Sequence, residues 1–309
     1  MKLDRMKLKY IIPLLLGILL FNCKTPNKKI HTVKNENHQK KLAHNTNYST
    51  KNYKSELLKI ATWNIRDLGR TKNDDEILKI AKIIKDNDIV AIQEVVAKDP
   101  AGAQAVAKIA DELNRMGSKW DYSISDPTNG SSAYKSERYA FLWKTSKVKL
   151  VHKPFLDKEL EILITREPYI AEFKLKKGSE SFFIINFHSR KFDDNPEEEI
   201  VFFEKYPKRL NSKRIFILGD FNINERHYVW EILYRIGFKS AIHNTPTTLK
   251  TKCKNGKYFN YAIDNIFYAT PNINKIRSGR IDFVGDCSNL KMARQLSDHV
   301  PVFMECTIN

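Results

Sequence analysis

Arg214-Ile215-Phe216-Ile217-Leu218-Gly219-Asp220-Phe221-Asn222-Ile223-Asn224 is the stretch around which the chain is organised. The apolar run from Arg214 to Leu218 predicts a short, fully buried strand. Where that strand must end, the chain places a carboxylate, Asp220, and two residues later a carboxamide, Asn222. In extended backbone, residues two apart point to the same side. The pair can therefore face one target together, which suits a hard divalent cation beside a phosphate. An Asp-x-Asn after a strand is equally a turn signal. The ends of the other strands decide between the two.

Five further apolar runs carry polar chemistry at or near their ends. Ile60-Ala61-Thr62-Trp63 leads to Asn64, and Ile89-Val90-Ala91-Ile92 leads to Gln93-Glu94. Phe182 to Phe187 includes Asn186 and ends at His188. The run Tyr261 to Ile266 carries Asp264, and Ser297-Asp298-His299 precedes the closing strand. One such ending has a dull explanation, because strands must end in something polar. Six that supply Asn, Glu, His and Asp form an inventory for Mg²⁺ or Mn²⁺ through oxygen ligands, with imidazoles for proton transfer. Cysteine is absent from the set, which argues against a structural zinc site.

Between these runs the chain alternates strand and helix patterns. Asp74 to Lys85 has Ile77, Ile80, Ala81 and Ile84 at helical spacing, with Asn73 or Asp74 as N-cap. Ala101 to Met116 predicts a second helix. Strands are predicted at 120–125, 138–143, 147–151, 168–175, 281–284 and 300–307, with a loop over 126–135. Asn195-Pro196 and three glutamates start a helix that runs to about Arg209, and 227–236 is helical up to Gly237. Some strands are joined by helices and others by hairpin-length turns. The fold class expected is α/β (α+β), one domain over residues 58–309, with two mixed sheets face to face and helices outside.

The N-terminus reads differently. Lys2, Arg5, Lys7 and Lys9 precede a twelve-residue, mostly apolar run, Tyr10 to Phe21. That is short of the ~20 residues of a transmembrane helix, so residues 1–22 read as a secretory signal. It ends at Leu20-Phe21-Asn22-Cys23, which resembles a bacterial lipoprotein signal with Cys23 lipidated. The expected location is a bacterial membrane surface, with release to the outside also open. Residues 23–57 are polar and lysine-rich without periodicity, and read as a disordered tether. Of the formal charge of +17, residues 58–309 retain a net excess of positive charge, so basic character belongs to the globular part too. A basic surface attracts polyanions, nucleic acid before anionic membrane. Cys306 alternates with Val302 and Met304 as an inward residue, leaving Cys253 and Cys287 as the pair for a disulfide.

Read together, the motifs Trp63-Asn64-Ile65-Arg66, Gln93-Glu94-Val95, Glu137-Arg138-Tyr139, Arg166-Glu167-Pro168, His188-Ser189, Gly219-Asp220-Phe221-Asn222, Tyr261-Ala262-Ile263-Asp264 and Ser297-Asp298-His299 stand in an order that resembles the endonuclease/exonuclease/phosphatase superfamily. Glu-Arg-Tyr and Arg-Glu-Pro narrow the resemblance to its deoxyribonuclease I-like branch. That resemblance implies a four-layer sandwich and a monomeric enzyme hydrolysing double-stranded DNA through backbone and minor-groove contacts. It implies Glu94, Asn64 and Asp298 as Mg²⁺ (or Mn²⁺) ligands, with Asp220 and Asn222 at a second cation or the phosphate, and Ca²⁺ as a structural or activating ion. His188 and His299 would be general acid and base, oriented by Glu137 and Asp264. Arg166 would reach a substrate phosphate and Tyr134 would pack into the minor groove. Two features depart from the branch: Val96 replaces an arginine that enters the minor groove, and no cysteine follows Asp-Phe-Asn. A phosphoesterase of lipid headgroups is the competing class, and a non-catalytic binding protein a third.

Overall fold

The computed structural model describes residues 56–130 and 136–309. The leader, Cys23, almost all of the tether and Tyr134 lie outside these residues. The described chain runs β1 (Leu58–Leu68), α1 (Asp74–Ile84), β2 (Ile89–Val96), α2 (Ala101–Arg115), β3 (Trp120–Ile124), β4 (Glu137–Lys144), β5 (Val148–Leu150), β6 (Phe155–Leu156), β7 (Tyr169–Leu175) and β8 (Ser181–His188). It continues through α3 (Glu197–Ile200), α4 (Tyr206–Arg209), β9 (Ile215–Asp220), α5 (Glu231–Arg235), β10 (Phe238–Ser240), β11 (Leu249–Lys254), β12 (Lys257–Phe259), β13 (Asp264–Ala269), β14 (Ile273–Arg280), α6 (Leu290–Leu296) and β15 (Val302–Ile308).

Two mixed sheets form. One has the order β14-β15-β1-β2-β4-β3 and the other β10-β13-β9-β8-β7-β5, with β6 on β7. The parallel pairs are β1 with β2, bridged by α1, and β8 with β9, bridged by α3 and α4. These strands read as continuous apolar runs because both of their faces are covered. Ile89 and Ala91 of β2 face the opposite sheet, while Val90 and Ile92 pack under α1 and α2. Phe216 and Leu218 of β9 face inward, while Ile215 and Ile217 pack with Ile200, Phe203 and Tyr206. Three apolar clusters thus separate four layers, as expected.

Local signals explain most boundaries. Asn73 caps α1 with a full capping box to Glu76, which satisfies two otherwise orphaned backbone N–H groups. The helix expected from Pro196 to Arg209 is broken instead: after α3 the residues 201–205 tighten into a 3₁₀ segment before α4. Pro207 has no N–H to give to the carbonyl of Phe203, and Tyr206 N–H bonds that carbonyl over the shorter span. The strand expected at 281–284 is also corrected; the strand is β14, Ile273–Arg280. It pairs with β15 at a sheet edge and much of it faces solvent, so it carries no apolar alternation to read. Residues 261–263 lie outside the strand that begins at Asp264.

Gly219, within β9, has no room for a side chain. Its φ is 141°, and an added Cβ would sit 1.8 Å from the carbonyl oxygen of Phe187 on the neighbouring strand. Only glycine enters that region readily and permits that approach. Gly219→Ala is expected to lower stability by about 3 kcal/mol or more, a fall in Tm of roughly 6 °C or more for a domain of this size. A thermal melt shifted by less than about 2 °C would contradict this account.

Candidate active site

Sheet register assembles the centre. His188 is paired with Asp220 across β8 and β9, and Asp220 with Asp264 across β9 and β13. Paired residues on neighbouring strands project to one face, so the three side chains form a row at the strand ends. Their parity is that of Phe182, Ile184, Phe216, Leu218, Ile266 and Tyr268, all in the core between the sheets. From the opposite sheet Asn64 shares the parity of Leu58 and Ile60, and Glu137 that of Tyr139 and Phe141. The candidate site is therefore the polar end of the inter-sheet core. Residues as far apart as Asn64 and Asp264 converge because each continues the inward-facing alternation of its strand to the strand's end.

Glu94 reaches the same place by a different route. Strict alternation would send it to the helix side, since Gln93 is inward. A register shift between Ile92 and Val95 and a φ of 59° at Glu94 rotate it back. A non-glycine residue held there stores backbone strain, of a kind concentrated at functional sites. Gln93 serves structure: it donates to Thr62 Oγ1 and to Asn186 Oδ1 at 2.6 Å, while Asn186 donates to the carbonyls of Ile92 and Ala140. Those bonds join the two sheets directly beneath the site.

Two histidine–carboxylate couples face each other. His188 Nδ1 lies 2.9 Å from Glu137 Oε2, and His299 Nδ1 lies 2.9 Å from Asp264 Oδ2. Their Nε2 atoms both turn to Asp220 Oδ2, at 3.5 and 3.7 Å. Burial is the strongest influence on each imidazole and works against its charge. For His299 the carboxylates of Asp264 and Asp220, with the Asp264 hydrogen bond and Asp298, prevail and carry the pKa to about 10. For His188, burial and Arg166 both oppose the charge, yet Glu137 and Asp220 raise the pKa above the ordinary histidine value. Asp220 is itself pushed up, first by burial.

A raised histidine pKa stabilises the fold fully below the unfolded value of 6.5 and loses that contribution as pH climbs through the folded value. The metal-free protein is therefore expected to lose thermal stability between pH 6.5 and about 10. In His299→Gln that decline becomes shallower. Identical pH slopes of Tm for the two proteins would refute the coupling.

The expectation that Asp220 and Asn222 extend side by side is corrected. The strand ends at Asp220 and the chain turns, with Asn222 at φ 54° and its N–H donating to Asp220 Oδ1 at 3.0 Å. Turn and site coexist, since Oδ1 closes the turn while Oδ2 faces the histidines. Both residues line a cavity of about 730 Å³ together with Glu94, Glu137, Arg166, His188 and His299. Arg166 donates to the backbone carbonyls of His188 and Ser189 and lies 3.9 Å from Glu137. Asp298 is placed elsewhere: it lines the adjoining groove, with Arg66 at 3.3 Å and Arg294 at 3.8 Å.

The residues fit a hard divalent cation. Asn64 is fully buried and its Oδ1 has no hydrogen-bond partner, while its Nδ2 donates to Glu94 Oε1 at 2.9 Å and to Asp220 Oδ2 at 3.1 Å. An orphaned buried carbonyl oxygen is costly, and with the amide turned over, Oδ1 would join the two carboxylates as a neutral ligand of such a cation. Asp220, Asp264 and His299 also bring three donor atoms within 4.8 Å of one another. Within that group Asp264 is already committed to His299 Nδ1 and to Thr247 Oγ1 at 2.6 Å, so we favour Glu94 and Asn64 as the cation's primary holders.

Several positioning residues escape sequence reading. Thr247 fixes Asp264, and Tyr139 takes the backbone N–H of His188 on its hydroxyl. Trp63 donates its indole N–H to the carbonyl of His299, and Ser297 Oγ takes the His299 N–H. Nothing in Thr245-Pro246-Thr247-Thr248 separates a supporting threonine from loop residues. Trp63, Tyr139 and Ser297 do stand in the Trp-Asn, Glu-Arg-Tyr and Ser-Asp-His motifs, and that placement is the signal for them.

The chain matches the Endonuclease/Exonuclease/phosphatase family over residues 61–299. It is 28% identical over 266 residues to Deoxyribonuclease-1 of Oryctolagus cuniculus, covering 79% of this chain and 91% of that protein. A Deoxyribonuclease of Thioalkalivibrio sp. (strain K90mix) is 28% identical over 205 residues, 63% of this chain and 54% of that one. The fold is shared with an endonuclease/exonuclease/phosphatase family protein from Bacteroides thetaiotaomicron, at TM-score 0.61 and 17% identity over 83% of this chain and all of the other. The chain belongs to the endonuclease/exonuclease/phosphatase family of hydrolases.

Proposed function

We propose that this protein is a divalent-cation-dependent endonuclease that hydrolyses phosphodiester bonds of double-stranded DNA with little sequence preference. The observation that carries the reading is the pair of opposed imidazoles, each fixed through Nδ1 by a carboxylate and each presenting Nε2 to one cavity. Hydrolysis needs a proton removed from the attacking water and a proton delivered to the leaving oxygen. Two imidazoles on either side of a phosphate supply both, one neutral and one cationic. Fixing Nδ1 holds each ring in the tautomer that works through Nε2. A cation at Glu94 and Asn64, Mg²⁺ or Mn²⁺, with Ca²⁺ as an activating ion, would supply neutralisation of phosphate charge. Asp220 and Asn222 border the space for the phosphate, and Arg166 adds fixed positive charge. The similarity to two deoxyribonucleases and the basic character of residues 58–309 favour DNA. Tyr134 is assigned to the minor groove, and the protein is taken as a monomer held at a membrane through lipid on Cys23.

The test is supercoiled plasmid with the full-length protein, with and without EDTA. Relaxation and linearisation with Mg²⁺ or Mn²⁺, abolished by EDTA, are expected. Intact plasmid across neutral pH with Mg²⁺, Mn²⁺ and Ca²⁺ would overturn the proposal, and phosphate release from lipid headgroups instead would replace it.

A further inference from the structure

Beside the catalytic cavity lies a second groove of about 690 Å³, lined by Lys250, Lys252, Lys254, Tyr261, Arg294 and His299 among others. His299 lines both spaces, so the two adjoin at the catalytic imidazole. The groove is cationic. Lys252 and Lys254 are exposed, and no carboxylate lies within ion-pair distance of any of the three lysines among the described residues. The acid that lines it, Asp298, is already neutralised by Arg66 and Arg294. Tyr261 is 64% exposed at its wall.

The lysines belong to the β11–β12 hairpin, which is hydrogen-bonded as a strand to neither main sheet. Side-chain ties hold it instead. Cys253 is bonded to Cys287, the Arg280 guanidinium lies 3.4 Å from the Phe259 ring centroid, and Tyr258 donates to Asp282 at 2.6 Å. Arg294 donates to the carbonyl of Leu249 at the hairpin's base. That base is joined to the catalytic couple: Thr248 bridges to His299, Leu249 N–H bonds the Asp298 carbonyl, and Thr247 holds Asp264. An arm carrying unpaired cations is thus fastened at a fixed position relative to the His299 imidazole.

We propose that this groove is a flanking-strand subsite, in which the disulfide-anchored lysine hairpin holds backbone phosphates of the nucleic-acid strand leading to His299, with Tyr261 against a sugar or base. The inference rests on the phosphodiesterase reading of the site. Adjacent unpaired cations match a polymer that repeats its negative charge, and an exposed aromatic among them adds a stacking surface that a nucleotide chain uses. A lipid surface would use the cations and leave the aromatic ring without that role.

The experiment uses the full-length protein and a variant with Lys250→Gln, Lys252→Gln and Lys254→Gln, all outside the catalytic set. Binding of a fluorescent duplex oligonucleotide is followed by anisotropy against salt. Cleavage is measured on plasmid and on bis(p-nitrophenyl) phosphate, which has no flanking phosphates. The variant is expected to raise the KM for plasmid by about tenfold and to flatten the log K against log[salt] slope by roughly 2 to 3, since each phosphate contact contributes about 0.9. Turnover of the small diester stays unchanged. Cys253→Ser with Cys287→Ser is expected to move the same two DNA readouts in the same direction.

Unchanged plasmid KM and salt slope in the lysine variant, with the wild type cutting DNA, would overturn the subsite and leave the nuclease reading standing. A wild type that cuts neither substrate would overturn the nuclease reading, while the anisotropy series still decides whether the hairpin binds DNA. Loss of binding to phosphatidylglycerol vesicles with DNA binding unaltered would assign the hairpin to a membrane and refute the proposal.

Discussion

His299→Ala is expected to lower the single-turnover rate of DNA cleavage by about 10³- to 10⁴-fold, at the upper end of what a positioned acid–base group contributes. The geometry explains the size. His299 Nε2 points into the cavity while Nδ1 is held 2.9 Å from Asp264, so the ring is fixed in orientation for proton transfer. His188→Ala should cost a similar factor, since His188 stands in the mirrored position against Glu137. In the proposed mechanism the two act on one phosphate, so the double variant should be far less impaired than the product of the single losses. Glu137→Gln and Asp264→Asn should retain more activity than the histidine variants, because they loosen a ring without deleting it. Protein integrity is checked by thermal melting, and a loss below tenfold for either histidine would remove it from the chemistry.

Glu94→Ala is expected to abolish cation-dependent stabilisation along with activity. A ligand that binds only the folded state raises stability by RT ln(1 + [L]/Kd), so Mg²⁺ or Mn²⁺ at 100 times Kd adds about 2.7 kcal/mol to the wild type. The variant should show almost none of this. In the absence of cation its Tm should equal or exceed that of the wild type. Glu94 lies among Glu137 and Asp220 on the cavity wall and is held at φ 59°, so its removal relieves carboxylate crowding. A cation-induced Tm shift as large in Glu94→Ala as in the wild type would move the ligand set elsewhere, with the Asp220, Asp264 and His299 cluster next in line.

Much of this centre is legible in the sequence because strand ends are legible. Each apolar run has both faces covered, so it stands out against its flanks, and a polar residue just past it must lie at the sheet's rim. Asn64, Glu94, His188, Asp220, Asp264 and His299 were all readable in that way. Asp298 was readable as well, yet two arginines hold it in the neighbouring groove. Beta strands exposed on a sheet edge, such as β14, and hairpins outside both sheets, such as β11–β12, carry no such contrast.

The sequence by itself determined the alternation of buried strands and helices, the identity of the polar groups at the strand ends and the family those motifs resemble. Those properties are local: they depend on hydrophobic periodicity and on which residue follows the last apolar one. Only the tertiary structure decided that the two imidazoles oppose each other over Asp220, that Glu94 turns inward at a bulge, and that the lysine hairpin is fastened beside His299. Each of those depends on strand register and on packing between segments from about forty to more than a hundred residues apart, where a shift of one residue would turn every side chain to the other face.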